Sequence, residues 1–217
     1  MAKERINFLK EFKLFNACEK SDVLRNWLQR VYFHNNCAYA SDGIVLVRVP
    51  LSVCTTFDQD DYAKLNGFNI HHKLLKLLYG FDIVTIEKTM TAEDVYGNLL
   101  EEPELVVFIK AVYDGHGVCF RLEKSKKEDE ERFEVIITSP EEHKPLHSLG
   151  ISAGNLKRVS DAMNLDRLNM DFTTVGTKIY VTSTMEEDLK TGLLGIIMPV
   201  ATEATIPGLD EDPEDDD

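Results

Sequence analysis

The sequence predicts an α+β fold in which helices collect on one face of antiparallel sheets. Three observations point there. Strand-like runs are parted by two-residue turns, Asn35–Asn36 and Asp42–Gly43, whose residue types tolerate the positive φ of tight hairpins. Helix-like segments begin near Ser21, Phe68 and Ser152, and strands follow each of them. Short turns rather than helical crossovers join successive strands, which argues against a doubly wound parallel sheet. A helix-then-strands unit occurring three times repeats architecture without repeating residue identity.

The first unit opens with Ile6–Cys18 (INFLKEFKLFNAC), which alternates enough for a strand. Ser21 then caps a short amphipathic helix through Arg30. Its apolar stripe is Val23, Leu24, Trp27, Leu28 and Val31, with Arg25, Asn26, Gln29 and Arg30 on or near the other face. Residues Val31–Pro50 read as a three-stranded meander, with Cys37–Ala40 and Ile44–Val49 flanking the Asp-Gly turn.

In the second unit Ile70–Tyr79 has a helical pattern, with Leu74, Leu75, Leu77 and Leu78 inward, His71, His72, Lys73 and Lys76 outward, and Gly80 as a stop. Strands are expected at Asp82–Lys88, Leu105–Tyr113, Val118–Leu122 and Phe133–Thr138. Thr89–Pro103 reads as a long loop, and the mixed charges of Glu123–Arg132 as an exposed hairpin tip. The third unit has Ser152 as the cap of a helix through Asn164, with Leu156, Val159 and Met163 inward. Strands Leu168–Thr173 and Lys178–Thr182 follow, and Leu193–Val200 forms a last strand that stops at Pro199. The length suits one large domain or two of about 100 residues each, the two placed at 1–100 and 101–204, with an acidic tail at 205–217.

The net charge of −14 argues against nucleic acid on its face, but its distribution matters more. Seven acids crowd into Asp210–Asp217, and removing them halves the imbalance. Such a run has nothing apolar to bury and is expected to be disordered. Apolar runs fall well short of the roughly 18 residues that cross a bilayer, and MAKERINFLKEFKLF has no uninterrupted apolar stretch of a signal peptide. A cytoplasmic, non-membrane protein is the expectation. Cys18, Cys37, Cys54 and Cys119 lie far apart inside apolar runs and read as free core thiols in a reducing compartment.

Catalytic patterns are poor. Neighbouring His71 and His72 cannot both aim at one metal from a helix, and the other histidines lack ligand companions at suitable spacing. Nucleophile-elbow, phosphate-loop, dinucleotide and zinc-protease motifs do not occur. Neither an enzyme nor a cofactor is called for. The helical segments instead carry a sign opposite to the whole: Arg25, Arg30, Lys73, Lys76, Lys157 and Arg158 stand against only Asp22 and Asp161. A basic track of this kind suits a phosphate backbone approached without base readout.

The residues ASDGIVL at Ala40–Leu46, preceded by SDVLRNWLQRVYFHNNCAY, resemble the second domain of bacterial DNA polymerase sliding clamps. That family carries a helix, a strand and an A-T-D-G-H-R-L turn at this point. The stretch GISAGNLKRVSDAMNLDRLNMDF, then KIYVT and GIIMPV, resembles the family's last repeat, which closes on a V-M-P-M strand. The matches cover Ser21–Leu51 and Leu149–Val200. Ile44 and Val45 depart from the family's His and Arg, and the chain is too short for three domains.

The resemblance implies helices facing double-stranded DNA with sheets outside, and no catalysis. It implies docking of a DNA polymerase or other replication or repair protein through a short peptide. One wall of that pocket would be Ser41, Gly43 and Leu46, the other Met198, Pro199 and Val200. Two-domain clamps close as trimers, so a homo-oligomeric ring is expected of this reading. The alternative is a monomeric protein-interaction module on a similar scaffold, without DNA binding.

Overall fold

A computed structural model of the chain describes residues 12–21, 24–54, 59–81, 83–94, 96–138, 150–171, 178–184 and 192–198. The elements are β1 (Arg30–His34), β2 (Cys37–Ser41), β3 (Val45–Pro50), α1 (Gln59–Ala63), β4 (Phe68–His71) and α2 (His72–Leu78). There follow β5 (Ile83–Glu93), β6 (Leu99–Tyr113), β7 (His116–Arg121), β8 (Glu123–Lys124) and α3 (Lys127–Thr138). The described order ends with α4 (Ala153–Met163), β9 (Leu168–Asp171), β10 (Ile179–Ser183) and β11 (Leu194–Ile197). Both sheets are antiparallel and the class is α+β. One has eight strands in the order β8-β4-β1-β2-β3-β11-β10-β9, the other three in the order β5-β6-β7.

The meander β1-β2-β3 forms as its turns dictate. Asn35 and Asn36 both have positive φ, the geometry that right-twisted hairpins require of a two-residue turn. At the next turn Asp42 Oδ1 accepts from the N–H groups of Ile44 and Val45 at 2.9 and 2.8 Å, while Gly43 takes φ +90°. From β3 the sheet continues into β11, where Leu46 pairs with Ile196 and Val45 with Ile197. The first and last thirds of the chain therefore share one sheet. Position 100, expected as a domain boundary, falls inside β6.

Alternation along the strands divides two cores. Val31, Phe33, Ala38, Ala40, Val45, Val47 and Val49 face the larger one, with Leu75 and Leu78 of α2 and Val159, Ala162 and Met163 of α4. Both helices thus cover the same face of the large sheet. A short 3-10 turn, Leu14–Asn16, touches both. The three-stranded sheet joins this core through Val84, Ile86, Val107, Ile109 and Ala111. Tyr32, Tyr39, Leu46 and Ile196 point to the opposite face, where α3 seats Phe133.

Several elements differ from the sequence expectation. Leu14–Asn16 is 3-10 rather than strand, and residues 1–11 lie outside those described. The helix expected over Ser21–Arg30 shrinks to a 3-10 turn at Asn26–Gln29, with Leu24 at 95% exposure and Arg30 already in β1. Tight pairing of Arg30–Phe33 with β4 draws the chain straight from turn to strand. The expected loop Thr89–Pro103 is instead the outer part of the β5–β6 hairpin, closed by Asp94 accepting from the Tyr96 and Asn98 N–H groups at 2.8 and 2.9 Å. On α2, His72 is buried and Leu77 exposed, because Leu77 faces an open cleft with Phe81, Tyr113 and Val118.

The largest reversal is at Lys127–Thr138, a helix where a hairpin tip and a strand were expected. Glu128, Asp129 and Glu130 fill its first turn, where carboxylates favour the positive end of the helix dipole. Phe133, Ile136 and Ile137 then fall on one stripe at helical spacing. The helix over Ala153–Met163 follows its expected bounds closely, with Ser152 as N-cap and Asn164 in the left-handed region as C-cap.

Candidate nucleic-acid interface and partner site

The α2–α4 face of the large sheet brings some of the expected cations together and not others. Lys73 and Lys76 stand exposed on α2, and among the described residues neither pairs with a carboxylate. On α4, Lys157 is 75% exposed and lies 3.2 Å from Asp161, one helical turn on. Arg158 lies inward of it, donating to Asp42 Oδ2 at 2.5 Å and to the Asn16 carbonyl at 3.1 Å. Arg25 reaches the Asp42–Gly43 turn, where a Cβ on Gly43 would stand 3.1 Å from its Nη1. Of these five, Arg158 bonds directly to the 3-10 turn that packs against both helices.

Arg30 does not join them. Strand alternation points it with Tyr32 toward the α3 face, where it donates to Asn69 Oδ1 at 2.7 Å and pairs with Glu123 at 2.8 Å. The helical reading of Ser21–Arg30 had placed it with Arg25, and the early start of β1 separates the two.

Lys20 was not expected at this surface and belongs to it. Burial holds its ammonium below the ordinary lysine value, and the charges of Arg158 and Lys76 push the same way. Its Nζ donates to the Phe15 carbonyl. A count of cations on helix-periodic segments misses Lys20, because the Leu14–Asn16 turn, not a helix, carries it there.

Beside α2, the rings of His71 and His72 stack with centroids 4.5 Å apart. His71 Nδ1 accepts from Lys73 N at 3.2 Å and so caps α2, leaving Nε2 to donate to Gln29 Oε1 at 3.1 Å. His72 Nδ1 donates to the Gln29 carbonyl at 3.0 Å. Burial lowers both pKa values. Around His71 the charges of Arg30 and Lys73 add to this, and Glu123 opposes it. The pair is a structural junction between the 3-10 turn, β4 and α2.

Of the second wall expected for a peptide pocket only Met198 is among the described residues, and its backbone joins the Asp-Gly turn. Met198 N donates to the Ile44 carbonyl at 2.8 Å, continuing the β3–β11 ladder into the Asp-Gly turn. Within that turn Ser41 is a scaffold: its Oγ donates to the Val45 carbonyl at 2.7 Å and accepts from Gly43 N at 3.0 Å. Leu46 is only 2% exposed, packed with Tyr32, Tyr39 and Ile196 against Phe133 of α3. Pro199 and Val200 lie outside the described residues.

All four cysteines are free thiols. Cys18 and Cys54 are buried and Cys37 half-buried, but Cys119 is exposed on β7, contrary to the core position expected for it. Among the described residues no helix is long and apolar enough to cross a membrane. No protein-family model, no curated protein and no solved structure matches the chain.

Proposed function

We propose that this chain is a sliding-clamp-like accessory protein of DNA replication. It cradles duplex DNA through the α2–α4 face and docks polymerase or repair partners beside the Asp42–Gly43 turn. The observation that carries this reading is the gathering of Lys20, Lys73, Lys76, Lys157 and Arg158 about two helices on one sheet face of an acidic chain. Positive charge held there at several heights suits a phosphate backbone, whose contacts position without reading sequence. The meeting of the Asp-Gly turn with the terminal strand supports the docking half.

A second reading, a monomeric protein-interaction module, draws on the neutralisation of Arg30 by Glu123 and of Arg158 by Asp42. Both guanidiniums are engaged inside the molecule, which leaves fewer charges for DNA.

The test reverses the exposed lysines only: Lys73→Glu, Lys76→Glu and Lys157→Glu together. The expected result is loss of retention on circular duplex DNA at physiological ionic strength, with the circular dichroism spectrum and melting temperature kept. Retention equal to the wild type would reject the DNA-cradling function, and a wild type that never binds DNA would favour the interaction module.

A further inference from the structure

We infer that α3 is an internal occupant of a peptide-docking socket on the large sheet, and that the socket's external partner is an acidic amphipathic helix of the same pattern. The inference rests on the docking half of the function proposed above and names the partner's chemistry and its regulation. The socket floor is Tyr32, Tyr39, Leu46 and Ile196, with Trp27 at its edge. It includes the Leu46 wall of the candidate pocket, so whatever docks there must contend with α3.

The way α3 is held fits a ligand better than a core element. Side chains bond it to the sheet: Asp129, Glu130 and Glu134 each meet a polar side chain of β1 or β2. Among the described side chains of α3, Phe133 is the fully buried one. It lies stacked on Tyr39 at 5.4 Å, tilted to Tyr32 at 5.3 Å and edge-on to Trp27 at 5.8 Å. Ile136 and Ile137 are half-buried, and Val135 faces solvent.

Three carboxylates meet three polar handles on the sheet. Tyr39 donates to Glu134 at 2.7 Å, Tyr32 to Asp129 at 3.5 Å, and His34 Nδ1 lies 3.1 Å from Glu130. Glu130 Oε1 is buried without a partner among the described residues, a cost that release of the helix would relieve.

The occupant therefore spells out its competitor. Acids stand four and three residues before a phenylalanine and one after it, with isoleucines three and four residues beyond (D-E-E-R-F-E-V-I-I, Asp129–Ile137). Tyrosine hydroxyls and His34 select the acids, and the aromatic cage selects the phenylalanine. A tethered occupant lowers the apparent affinity of any free one by the fraction of molecules in which the socket is open.

The probe is a fluorescent synthetic peptide of residues 126–138, titrated into full-length protein and followed by anisotropy. Two full-length variants weaken the internal helix: Phe133→Ser, and Asp129→Ala with Glu134→Ala, which removes the carboxylates that accept from Tyr32 and Tyr39. In at least one that keeps its circular dichroism spectrum, the peptide should bind at least about tenfold tighter than in the wild type. A peptide carrying serine in place of its phenylalanine should lose that gain. Equal affinity for wild type and variants, including no binding to any, overturns the inference. Loss of folded structure in both variants overturns it too, because α3 would then be an integral part of the core. DNA retention is not read here. A positive result beside absent DNA binding would remove the clamp and keep the socket.

Discussion

The guanidinium of Arg158 looks on the sequence like one of a pair of surface cations with Lys157, yet its two neighbours give it a different role. Asp42 is buried at the meander turn, with Oδ1 fixing two backbone N–H groups and Oδ2 facing Arg158. The arginine thereby ties α4 to the β2–β3 turn and, through the Asn16 carbonyl, to the 3-10 turn. Replacing it with alanine strands one oxygen of a buried carboxylate, a loss of about 1–3 kcal/mol. Arg158→Ala should therefore lower the unfolding free energy measured by urea denaturation by that amount, while Lys157→Ala, at an exposed one-turn pair, should change it by less than about 0.5 kcal/mol. Equal shifts for the two would mean that Arg158 is only another solvated cation. For the same reason, reversing Arg158 mixes a folding defect into any DNA assay.

At the scale of elements, the junction of β4 with α2 carries a pH dependence whose sign follows from its geometry. His71 caps the helix with an unprotonated Nδ1, and protonation turns that acceptor into a donor facing the Lys73 N–H. His71 and His72 have pKa values below their ordinary 6.5, so between that value and the lowered ones the unfolded chain binds more protons than the folded. The stabilisation is fully present above 6.5 and is lost as pH falls through the window beneath it. The wild-type urea midpoint should drop between pH 7.5 and 5.5 (values bracketing the ordinary His pKa of about 6.5), and His71→Asn, which keeps a capping oxygen, should flatten the drop. An unchanged slope in that variant would dismiss the His71 cap as its source.

Elements also show where sequence reading holds and where it fails. The meander and α4 were legible because each carries local punctuation: Asn35–Asn36, Asp42–Gly43, and the Ser152 and Asn164 caps. In α3 a run of Val135, Ile136 and Ile137 mimics a strand, and the helical stripe emerges only when Phe133 is counted with it. The 3-10 turn at Asn26–Gln29 failed for the converse reason. Its apolar spacing suits a helix, but pairing of Arg30–Phe33 with β4, remote in sequence, sets where the strand must begin. Of the candidate site, the exposed lysines of α2 and α4 were legible from period alone. Lys20 and the covering of Leu46 depend on tertiary packing, which leaves no local mark.

For the whole molecule, assembly turns on edges and charge. Among the described strands, β8 and β9 end the large sheet and β5 and β7 flank the small one. Such edges can template association with a further strand. Each copy carries a formal charge of −14, and like-charged copies repel over roughly 10 Å at 0.1 M salt. Added salt should therefore favour a homo-oligomer formed through these edges. The DNA binding proposed for the α2–α4 lysines should have the opposite dependence, weakening with a log–log slope of about −0.9 per phosphate contact. Light scattering at several protein concentrations, from low to moderate salt, should show mass rising with both variables. Pro substituted at Met170 of β9 should then restrict the chain to its monomer mass, because proline cannot donate to a new ladder. A mass that stays at one chain under every condition would rule out ring closure. The lysine face would then be left as an open cradle, or the chain as the interaction module.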